Sequence, residues 1–154
     1  MKVSQLMTKD VAFCLPDQTL CDAAGLMWQR DCGCVPIVED WVSMKVVGMI
    51  TDRDICMAAC LNAKAPHEMK IRDHMSSAQV QTCLDTARIE DAERIMRERQ
   101  IRRLPVVNAE GSLVGVISIN DLALEAMRER KRTKPEVRES EVMGVFGSIC
   151  AHRS

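Results

Sequence analysis

The sequence predicts an α+β protein made of two β-α-β-β-α repeats, packed sheet to sheet about a pseudo-two-fold axis. Three observations predict it. The chain matches itself at an offset near 68 residues, and internal repeats fix an architecture before any single element does. Apolar β-branched runs and helix-period segments follow one another in the same order in both copies. A strand-to-helix junction of one pattern, Gly-apolar-Ile-(Thr/Ser)-x-x-Asp, occurs twice, as Gly48–Asp54 and Gly115–Asp121.

The matches are specific. Met7 pairs with Met75, and Val11, Cys14 and Leu15 with Val80, Cys83 and Leu84. Asp22, Ala23 and Met27 pair with Asp91, Ala92 and Met96; Pro36 and Val38 with Pro105 and Val107; Gly48, Ile50 and Asp54 with Gly115, Ile117 and Asp121. Between Val38 and Gly48 the offset shortens from 69 to 67, across turn segments Glu39–Lys45 and Asn108–Ser112. Insertions confined to loops are the mark of a structural duplication. The copies are residues 1–66 and 67–132, with 133–154 as a tail.

Each copy opens with a short helical start ending at Met7 or Met75. VAFCL (11–15) and VQTCL (80–84) read as extended. Helices follow over Leu20–Arg30 and Ile89–Arg99, the first opened by the capping box Thr19-x-x-Asp22. Val35–Val38 with Val46–Ile50, and Leu104–Val107 with Leu113–Ile117, read as hairpins. Final helices are predicted over Asp54–Ala63 and Asp121–Arg132, with Leu61–Lys70 linking the copies. One copy alone buries too little apolar surface to stand comfortably. Two copies related by a pseudo-two-fold axis would leave two equivalent clefts.

The chain has 154 residues and 17.3 kDa, enough for one domain or two small halves. Its 47% hydrophobic and 28% charged content excludes a disordered or collagen-like chain. A net charge of −1 argues against a general nucleic-acid surface. The local exception, Arg128–Lys134, also reads as basic residues favoured at a helix C-terminus. No uncharged run is long enough to span a bilayer, and the start MKVSQLMTKD lacks a signal-peptide core. A cytoplasmic address is expected, with the eight cysteines as thiols. With two Trp, two Phe and no Tyr, a ligand ring would be held mostly by aliphatic and methionine side chains.

The junctions carry the chemistry. Each puts a hydroxyl at a strand end and an aspartate in the first turn of a helix. A helix N-terminus offers free N–H groups to a phosphate. Thr51 or Ser118 would add a hydrogen bond. The carboxylate of Asp54 or Asp121 accepts only, and its two oxygens suit the two hydroxyls of a ribose. Ser/Thr-x-x-Asp is equally a helix capping box; duplication at matched positions is what favours a ligand.

With Leu6-Met7 and His74-Met75, LPDQTLCDAAGLM and LDTARIEDAERIM, VPIV and LPVV, GMITDRD and GVISIND, residues 3–130 resemble a tandem pair of cystathionine-β-synthase (CBS) domains, a Bateman module. The resemblance implies adenosine-containing ligands (AMP, ADP, ATP, NAD or S-adenosylmethionine) in the clefts between repeats. It implies Thr51, Asp54, Ser118 and Asp121 as phosphate and ribose contacts. Arg102 and Arg103, ahead of the second hairpin, are candidate phosphate donors, as is Arg53; Asn120 stands in the place of Arg53 in the second copy. Val11 and Val80 begin the segments expected to wall an adenine pocket, and Pro36 and Pro105 mark the matched cleft-lining strands. A flat homodimer and a separate, unidentified effector protein are the implied partners. The implied role is regulatory and not enzymatic.

No Walker loop, HExxH, GxSxG or GxGxxG is present. Cys56 and Cys60 share a helix face and are expected to be small buried side chains. Cys150-Ala-His152 is a possible metal end, but a frayed tail is the expectation. Cys32-Gly33-Cys34 aligns with Ile101-Arg102-Arg103, so its CxC spacing marks a cleft-lining slot before it marks a metal motif. A thiol-based metal or redox sensor and a dimerisation scaffold with vestigial pockets are the competing readings.

Overall fold

Thr19 opens the first long helix as its sequence requires. Its hydroxyl accepts the Asp22 amide at 3.2 Å, and the Asp22 carboxylate accepts the Thr19 amide at 2.8 Å. In the computed structural model, which describes residues 1–78 and 80–151, the elements run in order as follows. The first copy holds α1 (Val3–Leu6), α2 (Leu20–Gln29), β1 (Cys34–Val38), β2 (Val46–Thr51) and α3 (Asp52–Leu61). After 3-10 turns at Pro66–Glu68 and Ile71–Asp73 come β3 (Cys83–Leu84), α4 (Ile89–Arg99), β4 (Arg103–Val107), β5 (Leu113–Ser118) and α5 (Ile119–Glu129). A further helix, α6 (Glu139–Cys150), closes the series. The α+β class is as expected, and so is the repeat order apart from the opening strand of the first copy.

The chain forms two compact units, each with its own sheet and core. One comprises Val11–Val80 with Gly111–Leu113; the other comprises Met1–Asp10, Gln81–Glu110 and Val114–Ser154. In the first unit β1 and β2 pair antiparallel, with Cys34 opposite Thr51 and Pro36 opposite Met49. Leu20, Val35, Ile37, Ile50 and Ile71 are sealed in its core. In the second, β3, β4 and β5 lie in that order, with β3 parallel to β4. Its core is built on Val3, Ile89, Met96, Leu104, Ile117 and Leu122.

VAFCL departs from the expected strand. Only Cys14 bridges, to Ile37, through Cys14 N–H to Pro36 O and Val38 N–H to Cys14 O, both 3.0 Å. The next amide, Leu15, turns away to Gln18 Oε1 at 2.7 Å, which ends the ladder. VQTCL keeps two paired residues, Cys83 and Leu84. The final helices begin two residues earlier than predicted, because Thr51 and Ser118 are their N-caps and Asp54 and Asp121 stand third in the helix. Cys56 and Cys60 are exposed, not buried. The buried side of α3 is Ile55 and Ala58, which turns both thiols outward.

The compact units do not follow the order of the copies. The first ten residues pack with the second copy: Thr8 and Val116 exchange both backbone bonds, at 2.9 and 3.0 Å. Correspondingly Ser76 and Met49 exchange theirs in the other unit, at 2.8 and 3.1 Å. Each approach lays a methionine on a glycine. A methyl group on Gly48 would meet Met75 Sδ at 2.6 Å; one on Gly115 would meet Met7 Sδ at 2.5 Å and the Thr8 carbonyl at 2.9 Å.

The expected frayed end is instead α6, a helix that reaches Cys150; His152 lies outside the described residues. Val142 and Val145 anchor it in the second unit's core, and Gln100 Nε2 donates to Ser148 O at 2.9 Å and Ala151 O at 3.2 Å. The turn before it is organised by Glu129, buried at the end of α5. Its carboxylate accepts the amides of Glu136 and Val137, at 2.7 and 3.0 Å, and pairs with Arg132. These bonds, led by the Val137 amide, hold its pKa below the ordinary carboxylate range. In the basic run Arg128–Lys134, Arg128 pairs with Glu125 and Arg130 with Glu139, so three of its arginines are matched with acids.

Two tests follow from this packing. Gly115→Ala should cost about 1–3 kcal/mol of stability in urea unfolding, because a carbonyl cannot move aside. Gly48→Ala should cost less, because the Met75 side chain can swing; the reverse order would contradict the packing. Because the Glu129 pKa is lower folded than unfolded, its stabilisation is present at neutral pH and fades on acidification. Exchange of the Glu136 and Val137 amides, corrected for intrinsic rates, should therefore accelerate below about pH 4.

Candidate ligand-binding site

Both junctions are built the same way. Thr51 is extended (φ −117°, ψ 161°), and its hydroxyl accepts the Asp54 amide at 3.1 Å. Asp54 Oδ2 accepts the Thr51 amide at 2.9 Å and its hydroxyl at 2.8 Å. Ser118 and Asp121 repeat this, with the Ser118 amide at 2.7 Å, its hydroxyl at 2.6 Å and a longer return bond of 3.4 Å. The capping reading of the motif is thus realised twice. It occupies one carboxylate oxygen and leaves the other: among the described residues, Oδ1 of Asp54 and Oδ1 of Asp121 accept no hydrogen bond. All four residues are half-buried, open enough to be reached.

The segment ahead of each hairpin lies against its junction. Gly33 O accepts the Asp52 amide at 3.1 Å, and Arg102 O accepts the Ile119 amide at 3.0 Å. The alignment of Cys32-Gly33-Cys34 with Ile101-Arg102-Arg103 is therefore a structural equivalence. Cys34 is buried, and Cys32 and Gly33 half-buried. Arg102 is exposed and Arg103 half-buried; Arg53 is exposed. Pro36 and Pro105 are buried within β1 and β4. Val11 is half-buried in the unit that holds Thr51 and Asp54. Val80 ends that same unit, whereas Ser118 and Asp121 belong to the other.

The expected free amides differ between the junctions. At α3 the first three are all taken: Asp52 by Gly33 O, Arg53 by Asp52 Oδ1 at 2.7 Å, and Asp54 by Thr51 Oγ1. The expectation of free N–H groups for a phosphate fails there, because Asp52 fills the anion's place with its own carboxylate. At α5 the matching residue is Ile119, and the Asn120 amide has no partner among the described residues. Of the two junctions, the second keeps an open amide among the described residues, and the segment carrying Arg102 and Arg103 lies against it through the Arg102 carbonyl. Asp52 was the missed signal: an acid at the first helical position competes with an anionic ligand.

Thiol chemistry is weak at two of the buried cysteines, Cys14 and Cys83. Burial, then the charge of Asp22, pushes Cys14 up to about 11; burial, then Asp91, pushes Cys83 up to about 12. Both stay protonated at neutral pH and are poor metal ligands or nucleophiles. Among the described residues no group of three or more His, Cys, Asp or Glu is placed to hold a metal ion. No helix among them is long and apolar enough to cross a membrane.

Comparison with known proteins agrees with this geometry. The CBS-domain family profile matches residues 3–60 and 71–128. The CBS domain-containing protein YhcV of Bacillus subtilis is 37% identical over 125 residues, covering 81% of this chain and 85% of that protein. Inosine-5'-monophosphate dehydrogenase of Streptococcus pyogenes is 36% identical over 113 residues; these are 73% of this chain but 22% of the dehydrogenase. Among solved structures, Hypoxic Response Protein I with two coordinated zinc ions superposes with a TM-score of 0.72 at 27% identity, over 80% of this chain and 98% of that one. The CBS domain pair of MJ0100, in complex with 5'-methylthioadenosine and S-adenosyl-L-methionine, shares the fold: TM-score 0.71, 23% identity, 80% of this chain and 94% of that one. The chain belongs to the CBS-domain family and carries two CBS domains in tandem.

Proposed function

We propose that this chain is a regulatory module that binds an adenosine-containing ligand (AMP, ADP, ATP, NAD or S-adenosylmethionine) and acts on a separate protein. One observation carries the reading. Each junction aspartate is half-buried, uses Oδ2 for the helix cap and leaves Oδ1 without a partner among the described residues, where a ribose hydroxyl would be received. Thr51 and Asp54 form the first site, and Ser118 and Asp121 the second. Val11, Val80, Pro36 and Pro105 supply apolar lining.

The two sites differ in phosphate preference. The second offers the Asn120 amide with Arg102 and Arg103, and takes the more highly phosphorylated ligand. The first, with its amides taken and Asp52 beside them, takes a ligand of lower negative charge, with Arg53 as its candidate cation. Binding changes the effector's state only by its differential affinity for two states of the module. Self-association as a homodimer fits the exposed apolar side chains Met57 and Leu61 on α3 and Leu124 and Met127 on α5.

Isothermal calorimetry against AMP, ADP, ATP, NAD, S-adenosylmethionine, 5'-methylthioadenosine and Zn²⁺ separates the readings. At least one adenosine ligand should bind well below millimolar, beyond about −4 kcal/mol. Binding of zinc alone would favour the metal-sensor reading. Asp54→Asn and Asp121→Asn should each abolish one site with little loss of stability. The asparagine oxygen keeps the cap but is then used up, so cap and ligand roles separate. ATP binding should fall with Asp121→Asn and hardly with Asp54→Asn. A double variant that binds normally would overturn the site. Thr51→Ala should cost about 1 kcal/mol through the cap alone.

A further inference from the structure

Glu93 stands in the middle of α4, and a charged helical residue is ordinarily solvated. Here it is 4% exposed, and its Oε1 is sealed from solvent with no hydrogen-bond partner among the described residues. Leaving such an oxygen unpaired is costly, and far more so once it is charged. The side of α4 that carries Glu93 is covered by α6. Arg97, one turn further along α4, reaches to Gly144 on α6, and Glu141 of α6 acts on the Glu93 carboxyl electrostatically. Ala92 and Met96 of α4 share the core with Val142 and Val145 of α6.

We propose that Glu93 makes the docking of α6 pH-dependent: α6 lies on α4 while the Glu93 carboxyl is protonated, and loosens as that carboxyl ionises.

The charges around Glu93 favour the protonated form in the docked state. From α6, Glu141 repels a carboxylate; from α4 itself Glu90 repels it and Arg97 attracts it. Strand β4, also packed on α4, places only Arg103 among charged residues, and Arg103 adds no interaction with Glu93. Burial first, then Glu141 and Glu90, lifts Glu93 from its ordinary 4.5 to about 7. With α6 lifted away, the carboxyl regains water and its ordinary value. The docked state therefore binds the proton more tightly, and docking is strongest in acid. It weakens as pH rises between the two values and levels off above about 7. Glu129, which anchors the turn before α6, titrates below that window and does not interfere. Release uncovers the apolar side of α4 where Val142 and Val145 had been seated, giving the module a surface whose exposure depends on pH.

Amide hydrogen exchange over residues 139–150 of the full chain, expressed as protection relative to intrinsic rates, tests this. Wild-type protection should fall about 30-fold from pH 5.5 to 8.5 and flatten above about pH 7. Glu93→Gln cannot ionise, and its α6 protection should be independent of pH. Glu141→Gln removes a repelling charge, so the fall should shrink and flatten at lower pH. Wild-type α6 protection that is constant over this range, or a fall that persists unchanged in Glu93→Gln, would overturn the proposal. If Glu93→Gln fails to fold, an unchanged pH profile in Glu141→Gln would overturn it by itself.

Discussion

The hydroxyl–carboxylate exchange at the end of β2 and of β5 is the constraint on which the candidate sites depend. Thr51 closes a strand and opens a helix in one residue, which only works if its side chain takes an orphan helix amide and its own amide finds an acceptor. Asp54 provides that acceptor. The same reciprocity at Ser118 and Asp121 fixes α5. Because the cap uses a single oxygen, the carboxylate is held in one orientation with the other oxygen left without a partner among the described residues. On the proposed reading, capping and recognition are therefore not rival explanations of the motif: the cap aims the acceptor.

Around these junctions, each unit is completed by chain from elsewhere in the sequence. Thr8, within the first ten residues, pairs with Val116 of β5, and Lys70–Ser76 run along the first unit beside α2 and β2. Glycines 48 and 115 let the two methionines come down onto the strands that lead into the caps. In the second unit the addition continues past the repeat, where Glu129 turns the chain back and α6 is laid on α4 and α5.

Much of this was legible in the sequence. The repeat, the caps at Thr19, Thr51 and Ser118, and the hairpins all rest on short-range patterns of hydroxyl, acid and β-branched residues, which local physics dictates. What was not legible depends on partners distant in sequence. Nothing in Leu6-Met7 says that its methionine will rest on Gly115 and not on Gly48. Cys56 and Cys60 were expected inward and stand outward, because α3 carries Cys56, Met57, Cys60 and Leu61 beside its buried Ile55 and Ala58 and so has little contrast between its sides. Helix α6 matched no repeat, and the burial of Glu93 and Glu129 was not read, because burial of a carboxyl is visible only once its neighbours are known. Arg53 against Asn120 distinguishes the two junctions in the sequence, and the structure adds a second difference at Asp52, whose carboxylate accepts the Arg53 amide of its own helix.

The central claim is that the two capping aspartates are also ligand acceptors. The most direct measurement is a backbone amide NMR titration of the isotopically labelled protein with AMP and with ATP. The expected result is that the largest saturable shifts fall on residues 51–55 and 118–122 and on the segments 32–34 and 101–103 beside them, with ATP acting first at the second group. Saturable shifts confined to other surfaces, with both junctions unmoved, would contradict it.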